Sequence, residues 1–189
     1  MFNWGLIPSW IRNEADASEI RKKTLNAVGE TIFDRPSFRE NIKSNRCLFP
    51  VSGFYEWREF NGLKYPYFIQ PNNDITFTLG AVYDCWIDKV TGEITNTFSI
   101  VTTVANTLME KIHNKKKRMP LIVSNEDSYK WLDSSINRQR VEALIKPYPD
   151  ELMEAYTIST LANDVRKNRN VPEIMNPVLY PELKIWGVF

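Results

Sequence analysis

At 189 residues, with 43% hydrophobic and 25% charged positions, the chain is long enough to close one core without disulfides or metals and too apolar to be disordered. Its net charge of +1 supplies no overall field for a polyanion, so any nucleic-acid binding has to come from a local basic surface. The stretch from Met1 to Trp10 lacks a basic start followed by an apolar run, and no uncharged stretch approaches the ~20 residues that cross a bilayer, which points to a cytosolic protein.

In chain order, Asp16 or Ser18 is expected to cap a short helix through Glu19 to Lys23, and Pro36 to open another through Phe38, Ile42 and Lys43. From Arg46 the pattern turns to β-type runs: RCLFPV, FYEWREF, YPYFIQ, ITFTLGAVYDCW and TNTFSIVTT. Turn signals at Ser52-Gly53, Asn61-Gly62, Asn72-Asn73-Asp74 and Thr91-Gly92 separate them. ANTLMEKIHN then reads as a helix with Leu108, Met109 and Ile112 on one face, and PLIV returns briefly to β. NEDSYKWLD and INRQRVEALIK are helical, the second ended by Pro147 and Pro149, and LMEAYTIS is a last strand before an irregular tail. Without a βαβ rhythm or a repeat, the fold class is α+β with a mixed or antiparallel sheet and peripheral helices, in one domain over 1–189.

No glycine-rich phosphate loop, G-x-S-x-G elbow or H-E-x-x-H occurs, and one histidine rules out a multi-histidine metal site, so no cofactor and no metal are expected. Cys47 and Cys85 sit in apolar strand contexts and read as buried thiols. Glu56 lies among Phe54, Tyr55 and Trp57. Desolvated there, its carboxyl would have a raised pKa suited to proton transfer; alternatively, strand alternation turns it to solvent beside Arg58 or Lys64. His113 is a natural acid or base near neutrality, or else only a helix-end residue favoured by the helix dipole. Lys115, Lys116 and Lys117 form either a solvated loop or a phosphate contact. Trp4, Trp10 and Trp57 read as core residues or as platforms for unpaired bases, and Asn26 as a turn or helix-end residue.

Taken together, these segments resemble the SOS response-associated peptidase (SRAP) family. Its W-G-L-I-P-x-W appears as Trp4 to Trp10, its I-N-A-R-x-E-T as LNAVGET, its K-P-S-F-R as RPSFR and its R-C-L-I-P-x-x-G-F-Y-E-W as RCLFPVSGFYEW. Its P-Y-F-I, I-I-T-T and I-H-x-R-M-P follow as Pro66 to Ile69, IVTT and IHNKKKRMP, and YTIST with Asn176-Pro177-Val178 is similar to the closing strand and tail. The resemblance implies a barrel-like sheet core and a DNA-repair protein of the SOS damage response, monomeric and nucleoid-associated. Such a protein binds single-stranded DNA and bonds covalently to abasic sites. A cysteine exposed by removal of the initiator Met attacks the ring-opened aldehyde, and its amine and thiolate close a thiazolidine crosslink. The same cysteine removes the Met, hence the peptidase name.

Carried over by position, the resemblance implies that Asn26 orients the terminal amine or sugar, Glu56 shuttles protons, and His113 assists Schiff-base formation and ring opening. It also implies that Arg118 and Thr102 or Thr103 meet phosphates while Trp4 and Trp57 wall the lesion. Three departures stand out. Family members begin Met-Cys-Gly-Arg well ahead of W-G-L-I-P, whereas Met1-Phe2-Asn3 directly precedes Trp4 here, so the chain is expected to lack the usual N-terminal segment and nucleophile. Val28 replaces the arginine of I-N-A-R, and extra residues within 114–117 separate His113 from Arg118. The alternatives are a non-catalytic single-stranded-DNA module or an inactive fragment.

Overall fold

The structure, a computed structural model, describes residues 1–72 and 74–183. Asn73, in one of the expected turns, lies outside them. In chain order the elements are β1 (Phe2–Trp4), α1 (Glu14–Arg21), β2 (Asn26–Val28), α2 (Asn41–Ser44), β3 (Arg46–Val51), β4 (Phe54–Phe60), β5 (Leu63–Pro71), β6 (Phe77–Ile87) and β7 (Ile94–Val104). After these come α3 (Thr107–Ile112), β8 (Arg118–Pro120), α4 (Asn125–Leu132), α5 (Arg138–Leu144) and β9 (Met153–Thr157). The fold is α+β with a mixed sheet, as the β-type runs predict. No helix among the described residues is long and apolar enough to cross a membrane.

The chain forms two compact units, each assembled from three stretches of sequence. The first comprises residues 1–50, 78–103 and 120–147. Its sheet is built on β7, which pairs antiparallel with β6 (Tyr83 opposite Phe98, Ala81 opposite Ile100). A strand has only two edges, so β1 and β2 share the other one: β1 runs parallel along Asn96 to Phe98 and β2 along Ile100 to Thr102. β3 lies beyond β6. Leu6, Ala27, Ile32, Ile42, Val101, Leu121 and Trp131 close the core, each large aliphatic side chain contributing on the order of 2 kcal/mol.

Three sequence expectations change here. α1 starts earlier than expected: Asn13 is its cap, with Oδ1 accepting from the Asp16 N–H at 2.9 Å, so Asp16 and Ser18 fall inside the helix. That phase lets Ala17 and Ile20 pack with Ile7, Ile11 and Trp86, and packing outweighs the choice among polar caps. The helix expected from Pro36 is reduced to the single turn of α2, preceded by tight turns over 35–40. Cys85 is exposed, because it alternates along β6 with buried Asp84 and Trp86. Cys47 is half-buried, and burial pushes its thiol up to about 12, which leaves it protonated at neutral pH.

The second unit comprises residues 51–77, 104–119 and the chain from Tyr148 onward. Its sheet is the antiparallel order β4-β5-β9, with Glu56 opposite Tyr67 and Phe68 opposite Tyr156. Gly53 lets the chain enter β4: a Cβ there would collide with the Ile69 carbonyl and the Phe68 ring. α3 packs against β4. Beyond β9, tight turns at Thr160–Asn163 and Pro172–Met175 seat Ile158, Ala162 and Ile174 around Phe68.

Candidate active site

The site in the second unit begins with two local facts. β4 is an edge strand whose side chains alternate, so Glu56 and Arg58 share one face while Tyr55 and Trp57 share the other. α3 is fixed by Asn106, whose Oδ1 caps the Met109 N–H at 2.9 Å while its Nδ2 donates to the Tyr148 carbonyl at 2.7 Å. With Leu108, Met109 and Ile112 buried, the residue that ends this helix, His113, reaches the β4 carboxylate.

His113 Nδ1 lies 3.0 Å from the Arg118 carbonyl and 3.4 Å from Glu56 Oε2. A carbonyl only accepts, so Nδ1 carries the proton and Nε2 is the basic nitrogen of the neutral ring. Lys117 adopts a left-handed backbone (φ 50°), its N–H donating to the His113 carbonyl at 2.8 Å while its own carbonyl accepts from Ala105 N–H. The extra residues at 114–117 therefore form a closed turn that returns the chain to Arg118 and holds the imidazole in place.

Burial pushes the Glu56 carboxyl above the usual carboxylate range, against the opposing pull of the Trp57 N–H, His113 and Lys116. Strand alternation does not turn Glu56 out to solvent, because α3 covers that face and the side chain is only 21% exposed. On the same sheet, burial pushes the Tyr67 hydroxyl upward, against the opposing pull of Arg58. A carboxyl raised in this way favours the folded state fully below its unfolded pKa, and that contribution disappears as pH rises through the folded value. Glu56→Gln removes this pH-dependent liability. Thermal melts should therefore show the variant gaining stability relative to the parent between acid and neutral pH; a constant difference across that range would contradict a raised Glu56.

Around this pair lies a cleft of ≈ 510 Å³ with Trp57, Glu59, Lys64, Lys115, Lys116 and Arg169 in its lining. Trp57 Nε1 donates to Asn163 Oδ1 at 2.6 Å, and Asn163 Nδ2 donates to the Lys64 carbonyl at 3.0 Å, so the indole is braced. The Asn114 side chain donates to the Glu59 carbonyl and accepts from its N–H, and Lys115 pairs with the Glu59 carboxylate at 2.6 Å. Sequence reasoning missed Asn163 and Arg169 and gave Lys64 only as a solvent-side neighbour of Glu56; for Arg169 the signal was the basic run RKNR inside a tail read as irregular. Among the described residues no three His, Cys, Asp or Glu side chains form a group able to hold a metal ion.

Of the expected site residues, Glu56, Trp57 and His113 come together, and Arg118 contributes its carbonyl. Trp4, Asn26, Thr102 and Thr103 belong to the first unit. Asn26 is no turn residue: it is exposed at the start of β2 and lines a cleft of ≈ 770 Å³ with Trp10, Thr24 and Val28. Trp4 and Trp10 are 51% and 56% exposed, which removes the reading as core. Thr103 is 2% exposed, so alternation along β7 closes it to a phosphate and leaves Thr102 as the outward member of the pair.

The family model for SOS response associated peptidase (SRAP) matches residues 1–165. The chain is 36% identical over 174 residues to the abasic site processing protein YoqW of Bacillus subtilis, covering 91% of this chain and 73% of that protein. It is 31% identical to the abasic site processing protein HMCES of Xenopus tropicalis, over 96% of this chain and 58% of that protein. A crystal structure of a Bacteroides thetaiotaomicron protein is similar to it with a TM-score of 0.90 at 46% identity, over 94% of this chain and 76% of the other.

Proposed function

The chain belongs to the SOS response associated peptidase (SRAP) family, and from that premise we propose that it is an abasic site processing protein that binds single-stranded DNA at the Glu56–His113 cleft. The observation that carries this reading is the raised carboxyl paired with an oriented imidazole beside a braced tryptophan and several cations. An abasic sugar in its ring-opened form presents an aldehyde. Opening the ring requires a proton at the ring oxygen and loss of one from the anomeric hydroxyl; condensing an amine with the aldehyde requires protonation of the carbinolamine hydroxyl, which leaves as water. Glu56 as acid and His113 Nε2 as base supply both, while Trp57 fills the space of the missing base and Lys116 and Arg169 meet phosphates.

The family's covalent step uses the α-amine and thiol of a cysteine after the initiator Met: the amine adds to the aldehyde and loses water, and the thiol adds across the imine to give a thiazolidine. Within residues 1–189 neither Cys47 nor Cys85 carries a free α-amine. These residues are therefore proposed to furnish the cleft and the proton-transfer pair, with covalent capture and Met removal requiring a Met-Cys-Gly-Arg beginning. Incubated with an abasic single-stranded oligonucleotide, this chain is expected to bind reversibly and give no adduct that survives denaturation; such an adduct would contradict the assignment. Log affinity should fall against log salt by about 0.7 per phosphate contacted, on the order of 2 for three contacts. Binding insensitive to salt would remove DNA as the ligand.

A further inference from the structure

α3 is six residues long, too short to hold its own shape in water. His113 ends it, so whatever fixes the start of the helix also fixes the imidazole. The first amides of a helix have no partner within it, and here two side chains supply one. Asn106 caps the Met109 N–H, and Asp150, 42 residues beyond Leu108, accepts the Leu108 N–H on Oδ1 at 3.1 Å. The carboxylate also sets a negative charge at the positive end of the helix. Asn106 Nδ2 donates to the Tyr148 carbonyl at 2.7 Å and lies 3.3 Å from Met153 Sδ, so the segment 148–153 holds the cap as well as the helix. That segment is in turn pinned to the end of β5. Asn72 donates its N–H to the Leu152 carbonyl at 3.2 Å and its Nδ2 to the Glu151 carbonyl, and the Tyr148 ring stands edge-on to Phe77 with centroids 5.8 Å apart. Among the described residues, the lining of the Glu56–His113 cleft includes neither Asp150 nor Asn106.

We propose that Asp150 is a positioning residue for His113: acting through α3, it ties the imidazole to the sheet that carries Glu56. The proposal rests on the reading of Glu56 and His113 as the proton-transfer pair. Glu56 stands on β4, which pairs with β5, and the end of β5 holds the Asp150 segment. Carboxyl and imidazole therefore share one frame, and the 3.4 Å between them is set at the far end of the helix as well as at the Arg118 carbonyl. A misplacement of about 1 Å at a reacting group costs on the order of 10²-fold in rate, so an anchor outside the cleft governs the chemistry within it.

The test is nuclear magnetic resonance of the isotope-labelled imidazole, whose signals belong to His113 because the chain has one histidine. With the ring neutral, the Nδ1–H form that the Arg118 carbonyl requires is expected to dominate. Asp150→Ala should shift the ring toward the Nε2–H form that a free imidazole favours. Asp150→Asn keeps an acceptor for the Leu108 N–H and should restore the parent spectrum. Asn106→Asp retains the cap on Met109 but loses the donor to Tyr148; it cuts the helix from the 148–153 segment without uncapping it, and should give the same shift even if Asp150→Ala folds poorly. In a form that begins Met-Cys-Gly-Arg, Asp150→Ala should also slow crosslinking to an abasic oligonucleotide about tenfold with affinity unchanged. An undisturbed Nδ1–H ring in the folded variants, whatever their melting temperatures, overturns the proposal and leaves Asp150 as a stabilising cap. A shifted ring with an unaltered crosslinking rate upholds the positioning and overturns His113 as a participant in the reaction.

Discussion

Replacing Glu56 by glutamine, in a form of the protein that begins Met-Cys-Gly-Arg, is expected to slow crosslinking to an abasic oligonucleotide by about 10²- to 10⁴-fold, the range for loss of one general acid or base. The amide keeps the shape of the side chain and its place beside His113, so binding should persist while chemistry fails. Burial holds the carboxyl protonated further toward neutrality than an exposed glutamate, and in the proposed reaction that would let it protonate the carbinolamine hydroxyl that leaves as water. If the same carboxyl serves the proposed removal of the initiator Met, that step should slow in parallel. Single-turnover gel assays with matched binding measurements separate the two effects. A crosslinking rate equal to that of the unsubstituted form would exclude Glu56 from the reaction, and an equal loss of affinity would make it a binding residue instead.

Arg46→Met is expected to destabilise the protein by about 3–5 kcal/mol, read from urea unfolding. The guanidinium is 5% exposed and donates to four carbonyls: Nε to Trp131 at 2.6 Å, Nη1 to Ile42 at 2.6 Å and Lys43 at 2.7 Å, and Nη2 to Asp133. It thereby satisfies the end of α2 and the end of α4 together, where helical carbonyls have no partner of their own. Burial lowers its pKa, with the Asp133 charge opposing that effect. Methionine matches the bulk of the side chain and abandons all four acceptors. Arg46→Lys should recover only part of the loss, because an ammonium lacks the planar fork that reaches both helix ends. A change below ~1 kcal/mol would mean that water replaces the guanidinium.

Much of the fold was legible because its signals are local. Val, Ile, Thr and aromatic runs gave β3 and β4 to the residue, and β5, β6, β7 and β9 within one or two residues at either end. The face formed by Leu108, Met109 and Ile112 gave α3. β1 and β2 escaped because three residues carry no period; both are strands only because β7 offers an edge. Arg46 looked like the first residue of a strand, and nothing beside it in sequence announces the carbonyls of Trp131 and Asp133.

For function, the sequence by itself determined the family, through ordered motifs spanning most of the chain, and it named Glu56, Trp57 and His113, because those residue types stand out chemically wherever they are found. Tertiary structure alone decided what these residues do to one another. Whether Glu56 faces solvent or an imidazole depends on α3 lying across β4, and which imidazole nitrogen stays basic depends on the Arg118 carbonyl. Asn163 and Arg169 entered the site from a distant stretch of chain. Desolvation and hydrogen-bond direction are properties of neighbours in space, and a linear pattern encodes them only where those neighbours are also close in sequence.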